Sequence, residues 1–114
     1  MGHLLVRPGG QSCNVGCDGC LEGIASGGGI ARATVTAIEN GRSTRMLEMV
    51  GGDTSAISSQ IVFEAAADGD TLAVEVVESV VDAVATGFAD ILNTLDPEYL
   101  VVGGAVTGAL QPYW

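Results

Sequence analysis

All three cysteines and the only histidine of this 114-residue chain lie within its first 20 residues, among closely spaced glycines. Such a stretch cannot build a hydrophobic core, because glycine brings no side chain and loses the most conformational entropy on folding. We therefore expect an irregular loop that is organised by a ligand. An odd number of cysteines this close together does not suggest a disulfide framework. It favours a reducing compartment and a bound metal ion.

His3, Cys13, Cys17 and Cys20 provide four soft or borderline ligands, the number that a tetrahedral structural zinc site needs. Two residues separate Cys17 from Cys20, so both thiolates can reach one ion from a single turn. The alternative is a set of unliganded thiols and a surface histidine, and the spacing favours the metal. We expect a closed, structural zinc site, since a catalytic zinc keeps one position open.

The rest of the chain has the composition of a folded domain with a core of small aliphatic side chains. Hydrophobic residues make up 47% of the chain and aromatic residues only 4%. The net charge of −10 repels phosphate backbones, so nucleic acid is not an expected partner of this segment. The chain has no lysine, which excludes a Walker-type phosphate loop.

Neither a signal peptide nor a membrane span is expected. The apolar run before Arg7 is too short for a signal-peptide core. The most hydrophobic stretch, residues 72–95, is interrupted by four acidic side chains, which a membrane span does not tolerate. We therefore expect a soluble, cytoplasmic protein without a membrane partner.

Residues 23–95 are predicted to be mostly helical. The apolar spacing and the turn residues predict a helix from Leu21 with a weak middle at 27–29, a short helix over 44–50, a helix over 58–67 and a long helix from Asp70 to Leu95. On the long helix, polar residues form one narrow stripe. We therefore expect most of its circumference to be buried, including Leu92 and Leu95.

A short apolar run, Tyr99-Leu100-Val101-Val102, precedes Gly103-Gly104 and predicts one buried strand of a parallel sheet. One strand cannot make a sheet, so its neighbours must come from another chain or from parts of the protein outside this sequence. We accordingly expect uncovered apolar surface, and with it either a homo-oligomer or association with a missing lobe.

The motif Gly2-His3 followed by Cys13-Asn14-Val15-Gly16-Cys17-Asp18-Gly19-Cys20-Leu21-Glu22 resembles the zinc loop of the ROK family, the group of bacterial repressors, open reading frames and sugar kinases. The family pattern is Glu-x-Gly-His, a spacer, and Cys-x-Cys-Gly-x-x-Gly-Cys-x-Glu. Residues 64–73 and 95–104 resemble the family's long helix and the strand and Gly-Gly turn after it. The resemblance therefore covers nearly the whole chain.

The resemblance implies an α/β fold, here a partial actin-like ATPase (ribonuclease H-like) lobe. Residues 1–114 would form part of the C-terminal lobe, truncated at both ends, with a zinc loop (1–22), a helical region (23–95) and a strand with a Gly-Gly turn (98–104). The implied function is that of an ATP-dependent sugar kinase of the glucokinase or N-acetylhexosamine kinase type, which takes a hexose and ATP with Mg²⁺. The alternative is the sugar-sensing part of a ROK transcriptional repressor.

The resemblance also assigns roles to individual residues. His3 would bind zinc and lie next to the sugar, and Glu22 would hydrogen-bond sugar hydroxyls. Gly103 and Gly104 would let the backbone approach the nucleotide. No catalytic residue is assigned, because the family's catalytic Asp and phosphate loop have no counterpart in this sequence. We expect this chain alone to be inactive, since phosphoryl transfer needs the base, the phosphate clamp and the metal together.

The sequence departs from the family pattern at Val15, which stands at the second cysteine of Cys-x-Cys. Two hypotheses follow. Either zinc is bound by His3, Cys13, Cys17 and Cys20, or it is bound weakly by three ligands. The coding sequence upstream distinguishes the two possible parents, because a repressor carries a helix-turn-helix there and a kinase carries a phosphate loop.

Overall fold

The computed structural model describes residues 2–113 and consists of an N-terminal loop followed by helices. The helices are α1 (Leu21–Ala25), α2 (Gly27–Glu39), α3 (Met46–Met49), α4 (Ser59–Ala67), α5 (Thr71–Leu95) and α6 (Thr107–Leu110), with 3₁₀ turns at Thr54–Ala56 and Gln111–Tyr113. Met1 and Trp114, the ends of the predicted region 1–114, lie outside the described residues.

The long helix α5 is the element on which α1, α2 and α4 pack. Its first two-thirds supply half of the residues of the core cluster, and every large side chain that this part of α5 contributes is aliphatic, as the composition predicts. The core includes Ile30 from α2, Val62 from α4 and Val77 and Val80 from α5, none of them more than 2% exposed. The predicted helices over 58–67 and 70–95 are confirmed to within a residue at each end.

The chain breaks its first helix at Ser26, where the sequence predicted a weak middle at the three glycines. Ser26 has an extended backbone, and its hydroxyl accepts a hydrogen bond from the Gly29 amide, which caps α2. The glycines therefore form the first turn of α2. Gly29 is needed there, because a Cβ at this position would lie 2.2 Å from the Gly23 carbonyl oxygen.

The predicted strand over 98–104 is wrong for this chain. Among residues 2–113 the only β pairing consists of two isolated bridges, Leu5 with Cys20 and Ser12 with Asp18. A strand exists only through hydrogen bonds to a neighbour, and no segment of the described chain pairs its backbone with residues 99–102. Tyr99 is consequently 84% exposed and Val101 92% exposed.

The expectation that α5 is buried along its whole length is also wrong. Burial ends at Gly87, and the last turns leave Leu92 47% and Leu95 58% exposed. No other described element reaches this end of the helix to cover it. No helix among residues 2–113 combines the length and the apolar character needed to span a membrane.

Asp70 joins the start of α5 to the segment before α3. Its carboxylate accepts hydrogen bonds from the Ala73 amide, the Arg45 amide and the Thr44 hydroxyl, at 2.8–3.0 Å. Burial alone would raise the pKa of this carboxyl, but hydrogen bonds from Arg45, Ala73 and Thr44 outweigh it and hold the pKa below its usual value. The stability that Asp70 contributes is therefore present above the ordinary carboxyl pKa and is lost as pH falls through the lowered one.

We expect Asp70→Ala to lower the free energy of unfolding by about 2 kcal/mol, the upper end for loss of an N-cap, because it also removes two bonds to the α3 segment. Urea unfolding at neutral pH measures the change. The matched control is Ser58→Ala, which removes the N-cap of α4 but only one long hydrogen bond of 3.4 Å. An equal loss in both variants would contradict the role of Asp70 as a junction.

Candidate functional site

The first residues of the chain run antiparallel to the segment that enters α1. The Glu22 amide donates to the Gly2 carbonyl at 2.7 Å, and the Leu21 amide donates to the Leu4 carbonyl at 2.8 Å. Farther along, the Val6 amide donates to the Gly19 carbonyl at 3.0 Å. This pairing places His3 next to Cys20 and Glu22.

The other two cysteines are brought together by a tight turn. The Cys13 amide donates to the Cys17 carbonyl at 2.9 Å, and the Gly16 amide donates to the Cys13 carbonyl at 3.1 Å. Gly16 has a φ of +89°, which a residue with a side chain rarely adopts. The turn folds Cys17 back onto Cys13.

The ligand atoms of His3, Cys13, Cys17 and Cys20 all lie within 4.8 Å of one another. His3 Nδ1 is 3.7 Å from Cys13 Sγ and 3.9 Å from Cys20 Sγ. Zn–S and Zn–N bonds of ordinary length at tetrahedral angles put a nitrogen and a sulfur ligand about 3.6 Å apart. The four residues singled out in the sequence are therefore close enough to hold one metal ion.

Cys13 and Cys17 differ in their readiness to ionise. Burial works against the Cys13 thiolate, but hydrogen bonds from the Val15 and Cys17 amides and from the neighbouring thiols lower the pKa of Cys13 to about 6. The pKa of Cys17 is raised, first because its thiol donates to Cys13, then through burial and repulsion from the other two sulfur atoms. In the metal-free loop Cys13 therefore becomes a thiolate before Cys17 does.

His3 connects this group to a carboxylate. While Nδ1 faces the cysteines, Nε2 lies 3.2 Å from Glu22 Oε2. The two side chains are about half exposed, at 51% and 44%, so a ligand in solvent can reach them. This histidine-to-carboxylate contact is the usual surrounding of a metal-bound imidazole, where it fixes the tautomer and the ring orientation.

A cavity of about 440 Å³ lies beside Glu22. Glu22, Ser26, Gly27, Gly103 and Gly104 are among the residues that line it. The structure thus brings the residue assigned to the sugar and the two residues assigned to the nucleotide into one cavity. His3 does not line the cavity itself but contacts Glu22, which does.

The start of α2 also lines this cavity, and the sequence did not predict this. Ser26 and Gly27 line it at the point where a single residue, Ser26, separates α1 from α2. A signal was present, since a serine directly before a helical segment is a typical N-cap. The run of glycines hid it, because glycines lower the expectation of helix at their own positions.

Comparisons with known proteins identify the class to which this fold and site belong. The model of the ROK family matches residues 1–112. A glucokinase of Thermotoga maritima is 33% identical over 109 residues, which cover 96% of this chain and 34% of the glucokinase. The transcriptional dual regulator NagC of Escherichia coli is also 33% identical over 109 residues, which cover 96% of this chain and 25% of NagC.

Among solved structures, a ROK family glucokinase from Streptomyces griseus in complex with glucose and AMPPNP matches with a TM-score of 0.77 and 30% identity. The match covers 95% of this chain and 35% of that one. The chain belongs to the ROK family. It spans about a third of the length of the curated glucokinase that it matches.

The unequal thiol pKa values predict a stepwise titration of the metal-free loop. Thiolate absorbance should begin to rise near pH 6, as Cys13 ionises, whereas Cys17 should ionise only above the ordinary cysteine pKa. Cys13→Ser should abolish the early step, and Cys17→Ser should keep it. A single step at the ordinary cysteine pKa in the unmodified chain would contradict the hydrogen-bonding described above.

Proposed function

We propose that this chain is the hexose-binding, zinc-stabilised part of an ATP-dependent ROK sugar kinase. One observation carries the proposal: His3 faces the three thiols through Nδ1 and Glu22 through Nε2, so a single side chain joins the candidate metal centre to the cavity. The glucokinase relatives support the kinase assignment.

The metal is proposed to be zinc because three thiolates and one imidazole are a set of ligands that zinc prefers. Side chains of this chain fill all four coordination positions of the zinc. No position is then left open for water or substrate, so the site is closed and structural. Cys17 takes the place of the ligand that Val15 does not supply. With His3 bound through Nδ1, its Nε2 carries the proton and donates to Glu22, which holds that carboxylate in place.

The hexose is proposed to bind between His3 and Glu22. An ionised carboxylate accepts hydrogen bonds from sugar hydroxyls, and such bonds to a charged group are among the stronger ones in proteins. Both side chains are about half exposed, and Glu22 lines the cavity. The choice between hexoses depends on side chains other than those of His3 and Glu22.

The nucleotide, ATP with Mg²⁺, is proposed to approach Gly103 and Gly104. Gly104 has a φ of +133°, and a Cβ at Gly103 would meet nothing within 4 Å, so the backbone there is open to a ligand. Ser26 and Gly27, at the start of α2, line the same cavity. We assign the segment to a lobe of the actin-like fold, whose other parts would supply the base and the phosphate clamp.

The sugar-sensing part of a repressor stays the second candidate, because NagC matches the same residues at the same identity as the glucokinase. The two parents share the segment, so the coding sequence upstream decides between them. We place the protein in the cytoplasm because its three cysteines are unpaired. The exposed side chains of Leu95, Tyr99 and Val101 support association, either with another copy or with the remaining lobe.

We expect protein purified without chelator to contain one zinc ion per chain, as measured by elemental analysis. Cys17→Ser should weaken zinc binding by more than about a hundredfold, which exceeds the usual cost of losing a group outside the ligand shell. Asp18→Asn is the control, since its exposed side chain lies in the same loop but outside the ligand group. Zinc clearly below one per chain, or equal affinity in both variants, would refute the four-ligand site.

We expect glucose or an N-acetylated hexose to shift the amide resonances of residues 2–4 and 22–27 in NMR titrations. Glu22→Gln should weaken binding about tenfold, the expected effect of losing a hydrogen bond to a charged acceptor. Glu78→Gln, on an exposed position of α5, is the control and should bind like the unmodified chain. Shifts elsewhere, or no effect of Glu22→Gln, would contradict the proposed sugar site.

A further inference from the structure

Gln11 connects the cysteine-bearing loop to the first two helices. Its backbone is part of the loop that carries the cysteines, since the Gly19 amide donates to the Gln11 carbonyl at 3.0 Å. Its side chain lies between the first two helices. There Nε2 donates to the Gly23 carbonyl in α1 at 2.7 Å and to the Gly29 carbonyl in α2 at 2.8 Å.

The backbones around the Gln11 amide are packed so closely that neither Gly23 nor Gly29 has space for a side chain. A Cβ at Gly23 would lie 2.7 Å from the Gln11 carbonyl oxygen and 3.1 Å from the Cys13 amide nitrogen. A Cβ at Gly29 would lie 2.2 Å from the Gly23 carbonyl oxygen. The loop, α1 and α2 therefore meet backbone to backbone, and a shift of the loop at Cys13 presses directly on α1.

The amide of Gln11 holds the angle between the two helices. Gly23 lies in the last turn of a five-residue helix, where carbonyl groups have no partner within the helix. A donor that joins this carbonyl to one in α2 keeps the first turn of α2 in a fixed orientation. That turn lines the cavity at Ser26 and Gly27.

We propose that Gln11 is a positioning residue that couples occupancy of the metal centre to the start of α2. Metal binding restricts the motion of the loop at Cys13, two residues from Gln11. Through its hydrogen bonds to Gly23 and Gly29, Gln11 then restricts the motion of the joint, by which we mean the junction of α1 and α2 at residues 23–29. By thermodynamic linkage, ordering of the joint strengthens metal binding by the same factor. The coupling to metal rests on the proposed metal centre, whereas the tie between the loop and the joint does not.

Arg32 provides an internal comparison. Its guanidinium donates to the Ser12 carbonyl at 3.1 Å and to Asn14 Oδ1 at 3.3 Å, so it holds the outer side of the same loop. Among the described residues its hydrogen bonds go to the loop and not to α1, and its side chain is exposed. Loss of Arg32 should therefore loosen the loop without uncoupling it from the start of α2.

The test is hydrogen exchange of the full chain, with and without Co²⁺ as the metal probe, for the unmodified protein and Gln11→Met. Methionine has the shape of glutamine but no donor. Gln60→Met is the matched control, because the only hydrogen bond of that side chain is an exposed one of 3.4 Å to Glu64. In the unmodified chain and the control, Co²⁺ should slow exchange both in residues 13–20 and in residues 29–32.

In Gln11→Met, Co²⁺ should slow exchange only in residues 13–20, and Co²⁺ affinity should fall about tenfold, as for other groups that orient metal ligands. The thiolate-to-cobalt absorption bands should keep their positions, because the ligands are unchanged. In Arg32→Ala, residues 29–32 should still respond to Co²⁺. A Gln11→Met chain that responds in residues 29–32 like the unmodified one would overturn the proposal.

The metal-free samples separate this proposal from the metal centre itself. If the unmodified chain binds no Co²⁺, the proposed centre fails, and Gln11 is judged by exchange without metal. Faster exchange in residues 29–32 of Gln11→Met than of Gln60→Met supports the tie between the loop and the joint, and equal exchange overturns it. If circular dichroism shows that Gln11→Met is unfolded, Gln11→Asn, whose amide is too short to reach both carbonyls, takes its place.

Discussion

The pairing of the first residues with the segment that enters α1 is the interaction on which the functional end of this molecule depends. Hydrogen bonds from Glu22 to Gly2 and from Leu21 to Leu4 return the start of the chain to the last cysteine. Without them, His3 would be a free residue seventeen positions before Cys20. With them, one imidazole lies between the cysteine sulfur atoms and the Glu22 carboxylate, and the candidate metal centre and the candidate sugar site share one side chain.

The helices give this loop a rigid support. The aliphatic first two-thirds of α5 pack against α1, α2 and α4, and Asp70 ties the start of α5 to the α3 segment. The loop contacts this support through backbone at Gly23 and through the side chains of Gln11 and Arg32. The last turns of α5 and residues 99–102 lack such support, and among the described residues they expose the apolar side chains of Leu95, Tyr99 and Val101.

Much of this could be predicted from local patterns. The long helix and the helix over 59–67 follow from periodicity and caps, because each pattern repeats over several turns and agrees with burial on one side. The four candidate metal ligands follow from residue type and spacing. The prediction of a strand at 99–102 was wrong because a strand forms only when a neighbouring segment offers hydrogen bonds, and a local sequence pattern does not show whether such a neighbour exists. The glycines at 27–29 misled the prediction because the cap at Ser26 and the close contact with Gly23 outweigh their poor helix propensity.

The sequence by itself therefore determined which residues are chemically able to bind a metal and where the apolar faces of the long helices lie, because both depend on residue type and on short repeats. Only the tertiary structure decided that Glu22 meets His3, that Ser26 and Gly27 share a cavity with Gly103 and Gly104, and that Gln11 joins two helices to the loop. These relations connect positions far apart along the chain. They depend on backbone pairing and on close glycine contacts, which no local pattern encodes.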